Sequence, residues 1–441
     1  MSYRLIVLAA VLIGGLSAGT TLSAADLGDV YGMALDGDLV LAEARNRYQA
    51  THTRVAQGLS ALLPSVNLQG SSARNAQAPA VAYSYADGFN SHGYGLNLSQ
   101  NLLNFQAWSA FEAVRIGDRQ ALTGLALIEQ QLILRVATAY FTVLRSQRNL
   151  QSFLEEEEAA ARILEQSEQS LAVGLNTVTD VLQSQSNFDL ARVNRLLEEN
   201  ALAQQREALA LITGQAPGPL ADLAPTFAIA SPEPVDLAEW EQLTSGNNLS
   251  VRVAELDFEA RKTDVLTAKA AGYPSFDLSA SYNYNAESSN PFSFFNNTAS
   301  ERAALSLNVT VPLFSGGLNS ARKREAYYNR DASEDVLRRT RREALQAIRN
   351  AWRNVQTDVI TVAAREQAVD SARSALQSTE TGAQVGTHNI VDVVLAQRTL
   401  FQAERDHAAA RYNYVLNTMN LKLAAGILNP QDVAELNAWL E

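Results

Sequence analysis

Val173-Gly174-Leu175-Asn176-Thr177-Val178-Thr179-Asp180-Val181 returns, 212 residues later, as Val385-Gly386-Thr387-His388-Asn389-Ile390-Val391-Asp392-Val393. The same offset pairs Gln185 with Gln397, Ala191 with Ala403, Leu211 with Leu423 and Gly214 with Gly426. Ala61-Leu62-Leu63-Pro64-Ser65 matches Ala271-Gly272-Tyr273-Pro274-Ser275 at offset 210, and Asn101-Leu102-Leu103 matches Pro312-Leu313-Phe314 at offset 211. Three blocks at a nearly constant offset mark a tandem duplication. The spacing predicts a first repeat over 26–214 and a second over 236–426. A Pro-rich linker over 215–235 joins them, and a C-terminal segment over 427–441 follows.

Each copy reads as helix, two strands, then long helices. Val30 to Leu62 has a helical pattern that stops at Pro64. Val66 and Leu68 alternate with polar residues, and so do Tyr94, Leu96 and Leu98; period two means strand. Strands are predicted near 65–75 and 92–102. The second copy repeats this near 275–286, with Phe276, Leu278, Ala280, Tyr282 and Tyr284, and near 301–312, with Leu305, Leu307, Val309 and Val311. Polar loops from Asn75 to His92 and from Ala286 to Ser300 connect the strands. The second loop holds Phe292, Phe294 and Phe295, whose place at the membrane interface or across a mouth the sequence leaves open. The rest is helix: Leu125, Ile128, Leu132, Val136, Ala139 and Val143 step by three or four. Proline is absent from about Ala107 to Leu171 and again from Leu318 to Thr381. Each run makes a rod of about 95 Å, the scale of coiled coils or helical tubes. Pro64, Pro274 and Pro312 stand where strand gives way to helix.

Composition narrows the function. The chain has 441 residues, no Cys and a net charge of −12. The acidic balance speaks against a nucleic-acid partner, because phosphate contacts need clustered Lys and Arg. Without Cys there is no disulfide frame, no thiolate metal site, no thiol nucleophile and no lipid on an N-terminal Cys. Arg4, an apolar run from Leu5 to about Leu16 and the small residues Ser23-Ala24-Ala25 read as a secretory signal peptide over 1–25. Gly15-Leu16-Ser17-Ala18-Gly19 matches a hydrolase elbow but lies inside that leader, where no strand and helix can frame it. No later run of 18 apolar residues is long enough for a transmembrane helix. A secreted chain is then soluble, surface-attached or part of an outer-membrane barrel.

Strands of about ten residues suit an outer-membrane barrel, and their alternation suits an apolar outside with a polar inside. A small sheet in a soluble domain fits the same pattern. Four strands cannot close a membrane barrel, and an open edge in lipid is not viable. A membrane reading therefore needs several chains to share one barrel. Two would supply eight strands and a filled interior; three would supply twelve and a lumen.

At this point the sequence resembles the TolC-like outer-membrane efflux proteins over nearly all of the mature chain. Three passages carry the resemblance. They are Leu132 to Phe141 with its Ala139-Tyr140-Phe141, the Val-Gly-Leu passage ending in Thr179-Asp180-Val181, and Val385 to Val393 followed by Ala410-Arg411-Tyr412-Asn413-Tyr414. The resemblance implies an α+β membrane protein and a homotrimer. Four strands per chain would form a twelve-stranded outer-membrane β-barrel, continued by a periplasmic α-helical barrel with an equatorial belt. The implied work is passive export of drugs or proteins by efflux or type I secretion. The implied partners are outer-membrane lipid, a periplasmic adaptor, and an inner-membrane efflux pump or ABC exporter.

Asp180 and Asp392 occupy matching places, each after a Gly break and before a helix. Thr177 with Asp180, and Asn389 with Asp392, are spaced as N-terminal capping boxes. In a trimer, Asp392 would also recur three times around the axis as a cation-binding carboxylate ring. Both readings stand for Asp180; the ring is favoured for Asp392. With Thr179 and His388 these residues are expected at the periplasmic mouth and gate. The resemblance places adaptor docking at Gly174, Leu175, Gly386 and Thr387, although a glycine there also simply ends a helix. Leu395 replaces a second Asp of the family's gate, while Ala383 and His388 replace its Tyr and Arg. His388, beside Asp392, offers a pH-sensitive substitute. Glu155 to Glu158 reads as a solvated helix face.

No H-E-x-x-H, phosphate loop or dinucleotide turn is present, and His52, His92, His388 and His407 lack metal-ligand spacing. An enzyme, a metal site and a cofactor are not expected. A secreted structural coiled coil or adhesin remains the rival; it explains the rods but not the duplicated strand pairs.

Overall fold

A computed structural model describes residues 24–75, 89–174, 177–288 and 298–441. Nearly all of the leader, the tips of both strand loops with Phe292, Phe294 and Phe295, and the pair Leu175-Asn176 lie outside the described residues. The first half runs α1 (Leu27–Gly37), α2 (Leu39–Ser60), β1 (Ser65–Asn75), β2 (Phe89–Leu103), α3 (Phe105–Ala172) and α4 (Val178–Thr213). The second repeats it as α5 (Leu237–Asn247), α6 (Leu249–Ala270), β3 (Ser275–Ser288), β4 (Thr298–Thr310), α7 (Leu318–Gln384) and α8 (Ile390–Ala425), with α9 (Pro430–Asn437) last. Helix lengths repeat almost residue for residue: 11, 22, 68 and 36 against 11, 22, 67 and 36.

Those lengths dictate the shape. The 68 residues of α3 reach about 100 Å, whereas α2 and α4 reach about 33 and 54 Å. Helix α2 leads up to the sheet and α4 returns from the far tip, so the two short helices share one long neighbour. They meet near its middle. Gly214, left-handed at φ 74°, ends α4 against Gly37, where an added Cβ would lie 2.2 Å from the Thr213 carbonyl. Gly426 repeats the arrangement at φ 77° against Asn247.

Residues 30–62 were expected as one helix and form two. The signal was Gly37 followed by Asp38. The Asp38 carboxylate accepts from Leu41 N at 2.6 Å, capping α2, and pairs with Arg135 of α3 at 3.0 Å. Asp38 is buried, so this charge needs its cation.

The main core sits at this equator. Leu132, Ile133, Val136, Tyr140, Phe141 and Leu144 of α3 pack with Leu209, Trp240, Ile348, Val415 and Leu421. The Pro-rich segment wraps around them. Ala25 bridges Leu220, and Leu223 bridges Leu440. Tyr140 donates to the Ala221 carbonyl at 2.6 Å, Tyr412 to Asp222 at 2.7 Å and Tyr414 to the Ala230 carbonyl at 2.9 Å. Burial pushes the Tyr140 and Tyr412 hydroxyls above their ordinary range, so they stay protonated donors. The tyrosines that carry the family resemblance are thus the clamps of the belt.

The strands form one antiparallel sheet in the order β1-β2-β3-β4. Val66, Leu98, Ala280 and Leu305 pair across it, as do Leu68, Leu96, Tyr282 and Ala303. Gln69, Gly95, Asn283 and Arg302 form a row on the opposite face. One face is therefore apolar and the other hydroxyl- and amide-rich, as the alternation predicted. Both edges, β1 and β4, are open in the single chain. No described helix is long and apolar enough to cross a membrane.

Candidate functional site at the helix-pair tips

The two hairpins α3–α4 and α7–α8 end at the pole opposite the sheet. They lie side by side through α3 and α8. At the first tip Gly174 takes φ 78°, and Thr177 then caps α4 with extended backbone. The box closes in both directions. Asp180 N donates to Thr177 Oγ1 at 3.2 Å, and Thr177 N donates to Asp180 Oδ2 at 2.9 Å. The threonine hydroxyl also reaches Asp180 Oδ2 at 2.7 Å. The Thr177 backbone N–H, and then its hydroxyl, hold the Asp180 carboxyl below the usual carboxylate range. Thr179 is exposed beside it.

The second tip repeats this with different chemistry. Gly386 takes φ 82°. The Gly382 carbonyl collects Thr387 N at 2.8 Å, Thr387 Oγ1 at 3.0 Å and His388 N at 3.3 Å. Asn389 and Asp392 form the capping box, at 3.1 and 2.9 Å. His388 Nδ1 lies 3.3 Å from Asp392 Oδ2, and its ring packs where a Cβ on Gly382 would lie, 2.4 Å from Cδ2. Asp392 thus has a backbone N–H and an imidazole as company, where Asp180 has a backbone N–H and a hydroxyl. Among the described residues no hydrogen bond or ion pair joins Asp180 to Asp392. The structure brings His388 to Asp392, leaves Leu395 64% exposed, and places Ala383 next to the buried Gly382.

The glycines at both tips have no neighbour within 4 Å of an added Cβ. Their requirement is backbone conformation, since positive φ favours glycine. Around them Val173, Val178, Leu182, Val385 and Leu395 are exposed.

The reading of Glu155 to Glu158 as a solvated face is corrected. Consecutive helical residues turn by about 100° each, so four of them cannot share one face. Glu156 is buried and lies 3.2 Å from Arg405 and 3.8 Å from Arg398, both on α8. Arg405 also donates to Ser152 at 2.9 Å and stacks on Phe153 at 4.3 Å. Glu157 pairs with Arg195 of α4 at 2.5 Å. Glu156 is the bolt between hairpins and Glu157 ties α3 to α4, whereas Glu155 and Glu158 stay exposed as expected. The signal was available in the arithmetic of the helix.

The model of the family described as outer membrane efflux protein matches residues 30–215 and 240–427, one match on each repeat. The chain belongs to that family. It is 34% identical over 423 residues to the outer membrane protein TolC of Vibrio cholerae, covering 95% of this chain and 94% of that one. It is 25% identical over 434 residues to the proteases secretion protein PrtF of Dickeya chrysanthemi, covering 96% and 93%. The structure of the Campylobacter jejuni CmeC outer membrane channel superposes with a TM-score of 0.79 at 18% identity, over 94% of this chain and 90% of that one.

Family membership settles what the open sheet edges left undecided. The protein is an outer-membrane exit duct for efflux and type I secretion, a passive channel and not an enzyme. Its four strands are one third of a trimeric twelve-stranded barrel, and its helices continue that barrel into the periplasm. Channels of this type work with inner-membrane pumps and adaptors.

Proposed function

We propose that the duct is closed at rest at its periplasmic tip, with three copies of Asp392 forming an acidic ring at the mouth. Thr179, Asp180 and His388 line the approach to it. The observation that carries this reading is the Asp392 carboxylate. It stands at the end of the tube, facing His388 and a helix N-terminus, with no Arg or Lys ion-paired to it among the described residues. A carboxylate ring without a neutralising cation attracts cations and is blocked by multivalent ones. The turns at Gly174-Leu175 and Gly386-Thr387, where Gly174, Gly386 and Thr387 are exposed, are the docking points of a periplasmic adaptor. That adaptor links the duct to an inner-membrane efflux pump or ABC exporter. Two apolar-flanked turns per chain give six notches per trimer.

The test is conductance of the purified protein in planar bilayers, with hexaamminecobalt(III) added on the periplasmic side. Small currents blocked by the trivalent cation are expected, with block weakened at least tenfold by Asp392→Ala. Large, permanently open currents, or block untouched by that substitution, would sink the gate.

A further inference from the structure

The inward face of the sheet carries a feature that the tip does not explain. Facing rows across the four strands read Ser65-Ser99-Ser279-Ser306, then Asn67-Asn97-Ser281-Ala304, then Gln69-Gly95-Asn283-Arg302. The first two rows are neutral. The third brings in one cation. Its neighbours cannot neutralise it: Gln69 and Asn283 are amides, and Gly95 has no side chain. Asn283 lies flat over Gly95, with its Oδ1 2.5 Å from where a Cβ would stand. The row beside Arg302 therefore offers it an amide and a bare glycine and no carboxylate. Arg302 is exposed and has no ion-pair or hydrogen-bond partner among the described residues. The inward acid on the periplasmic side is Asp277, opposite Asn308, six residues or about 20 Å along the strand. On the other side Glu287 stands four residues away, opposite Thr298, and is itself engaged.

Trimer symmetry sets the scale. Twelve strands about 4.8 Å apart and tilted about 40° enclose a backbone diameter of roughly 24 Å. Extended arginines from three sides bring their guanidinium groups to within about 10 Å of one another, close to one Debye length. Their fields overlap in a lumen with low-dielectric walls, which concentrates anions. We propose that three copies of Arg302 form an electropositive ring inside the barrel that binds multivalent oxyanions. It would act as a second charge filter of opposite sign to the tip. The chemistry it recognises is a polyphosphate or polycarboxylate, because a planar guanidinium pairs with such oxygens in two-pronged fashion.

The experiment places inorganic tripolyphosphate on the extracellular side of channels in planar bilayers at about 50 mM salt, where screening is incomplete. Wild-type current should show voltage-dependent block. Arg302→Gln should weaken that block roughly tenfold, Arg302→Lys should weaken it less because it keeps the charge and loses only the two-pronged pairing, and about 1 M salt should erase it. Arg302 lies on an open wall, so the variants keep the trimer, which its mobility on unheated gels verifies. Asp392→Ala separates the two filters, since it should lose cobalt block and keep tripolyphosphate block. Equal block in wild type and Arg302→Gln, or no block in wild type, would overturn the ring.

Discussion

The tip of the α3–α4 hairpin and the tip of the α7–α8 hairpin end in the same backbone. Each has a left-handed glycine, then an extended N-cap, then a closed capping box on an aspartate at the third helical position. They part company in what surrounds the carboxylate. Asp180 is held by Thr177 through both N–H and hydroxyl. Asp392 has the Asn389 N–H and the His388 ring. Duplication has kept the geometry that turns one helix into the next. It has changed the group that decides what the acid can do. The shared part is architecture, and function is to be sought in the differences.

The largest expected effect breaks the join between the two hairpins. Removing the cation from a buried pair leaves its carboxylate unpaired and costs about 3 kcal/mol or more. Glu156 and Arg405 are 9% and 13% exposed in their side chains. Arg405→Ala should lower the stability of the helical barrel by up to about that amount, less whatever Arg398 recovers from 3.8 Å away, read from denaturant midpoints of helix content in detergent. Arg398→Ala, 3.8 Å from the same glutamate and half exposed, should cost less than about 1 kcal/mol. Equal losses would mean that Glu156 is solvated in the assembled tube.

Next come the glycines. Gly386→Ala and Gly174→Ala meet no atom and should each cost about 1 kcal/mol, for backbone conformation alone. Gly426→Ala has the same positive φ but would put a Cβ 2.3 Å from the Asn247 carbonyl, so its cost should exceed theirs clearly. If the three substitutions matched in a thermal shift series, the close packing of helix ends at the equator would be wrong.

The duplicated sequence announced much of this. Constant offsets revealed the repeat, the Pro-free runs gave the rods, and the spacing of Thr177 to Asp180 and Asn389 to Asp392 gave the boxes. Period-two alternation identified the lipid face. What stayed hidden lay between elements distant in the chain. Asp38 looked like one polar residue in a helical pattern, because its meaning depends on Arg135, 97 residues away. Glu156 looked like one of four solvated acids, because Arg405 stands 249 residues on. Tyr140, Tyr412 and Tyr414 served as family markers before their hydroxyls were seen to fasten the belt. Local physics writes itself into spacing, whereas long-range pairing of charges does not.

The smallest expected effect distinguishes the two boxes by acid. Asp180 accepts bonds that favour its charged form, so its folded-state pKa lies below the ordinary value of 3.8. A carboxyl depressed on folding stabilises fully above its unfolded value, and that contribution fades as pH falls through the folded one. The first turn of α4 should therefore hold its amide protection down to a pH near the ordinary carboxylate value and lose it below. Thr177→Val keeps the backbone N–H and removes the hydroxyl, which is the smaller of the two bonds holding the acid. Protection in that variant should be lost at a higher pH than in wild type. Hydrogen exchange across the first turns of α4 and α8, followed from neutral pH into acid, reads both tips in one experiment. Thr177→Val and Asn389→Val each also remove the side-chain acceptor of an N-cap, that of Asp180 N and of Asp392 N, and so loosen their turns even at neutral pH by about 1 kcal/mol. A Thr177→Val profile coincident with wild type would mean that the threonine hydroxyl contributes nothing to the acid's charge, and that the two tips differ only in the company of His388.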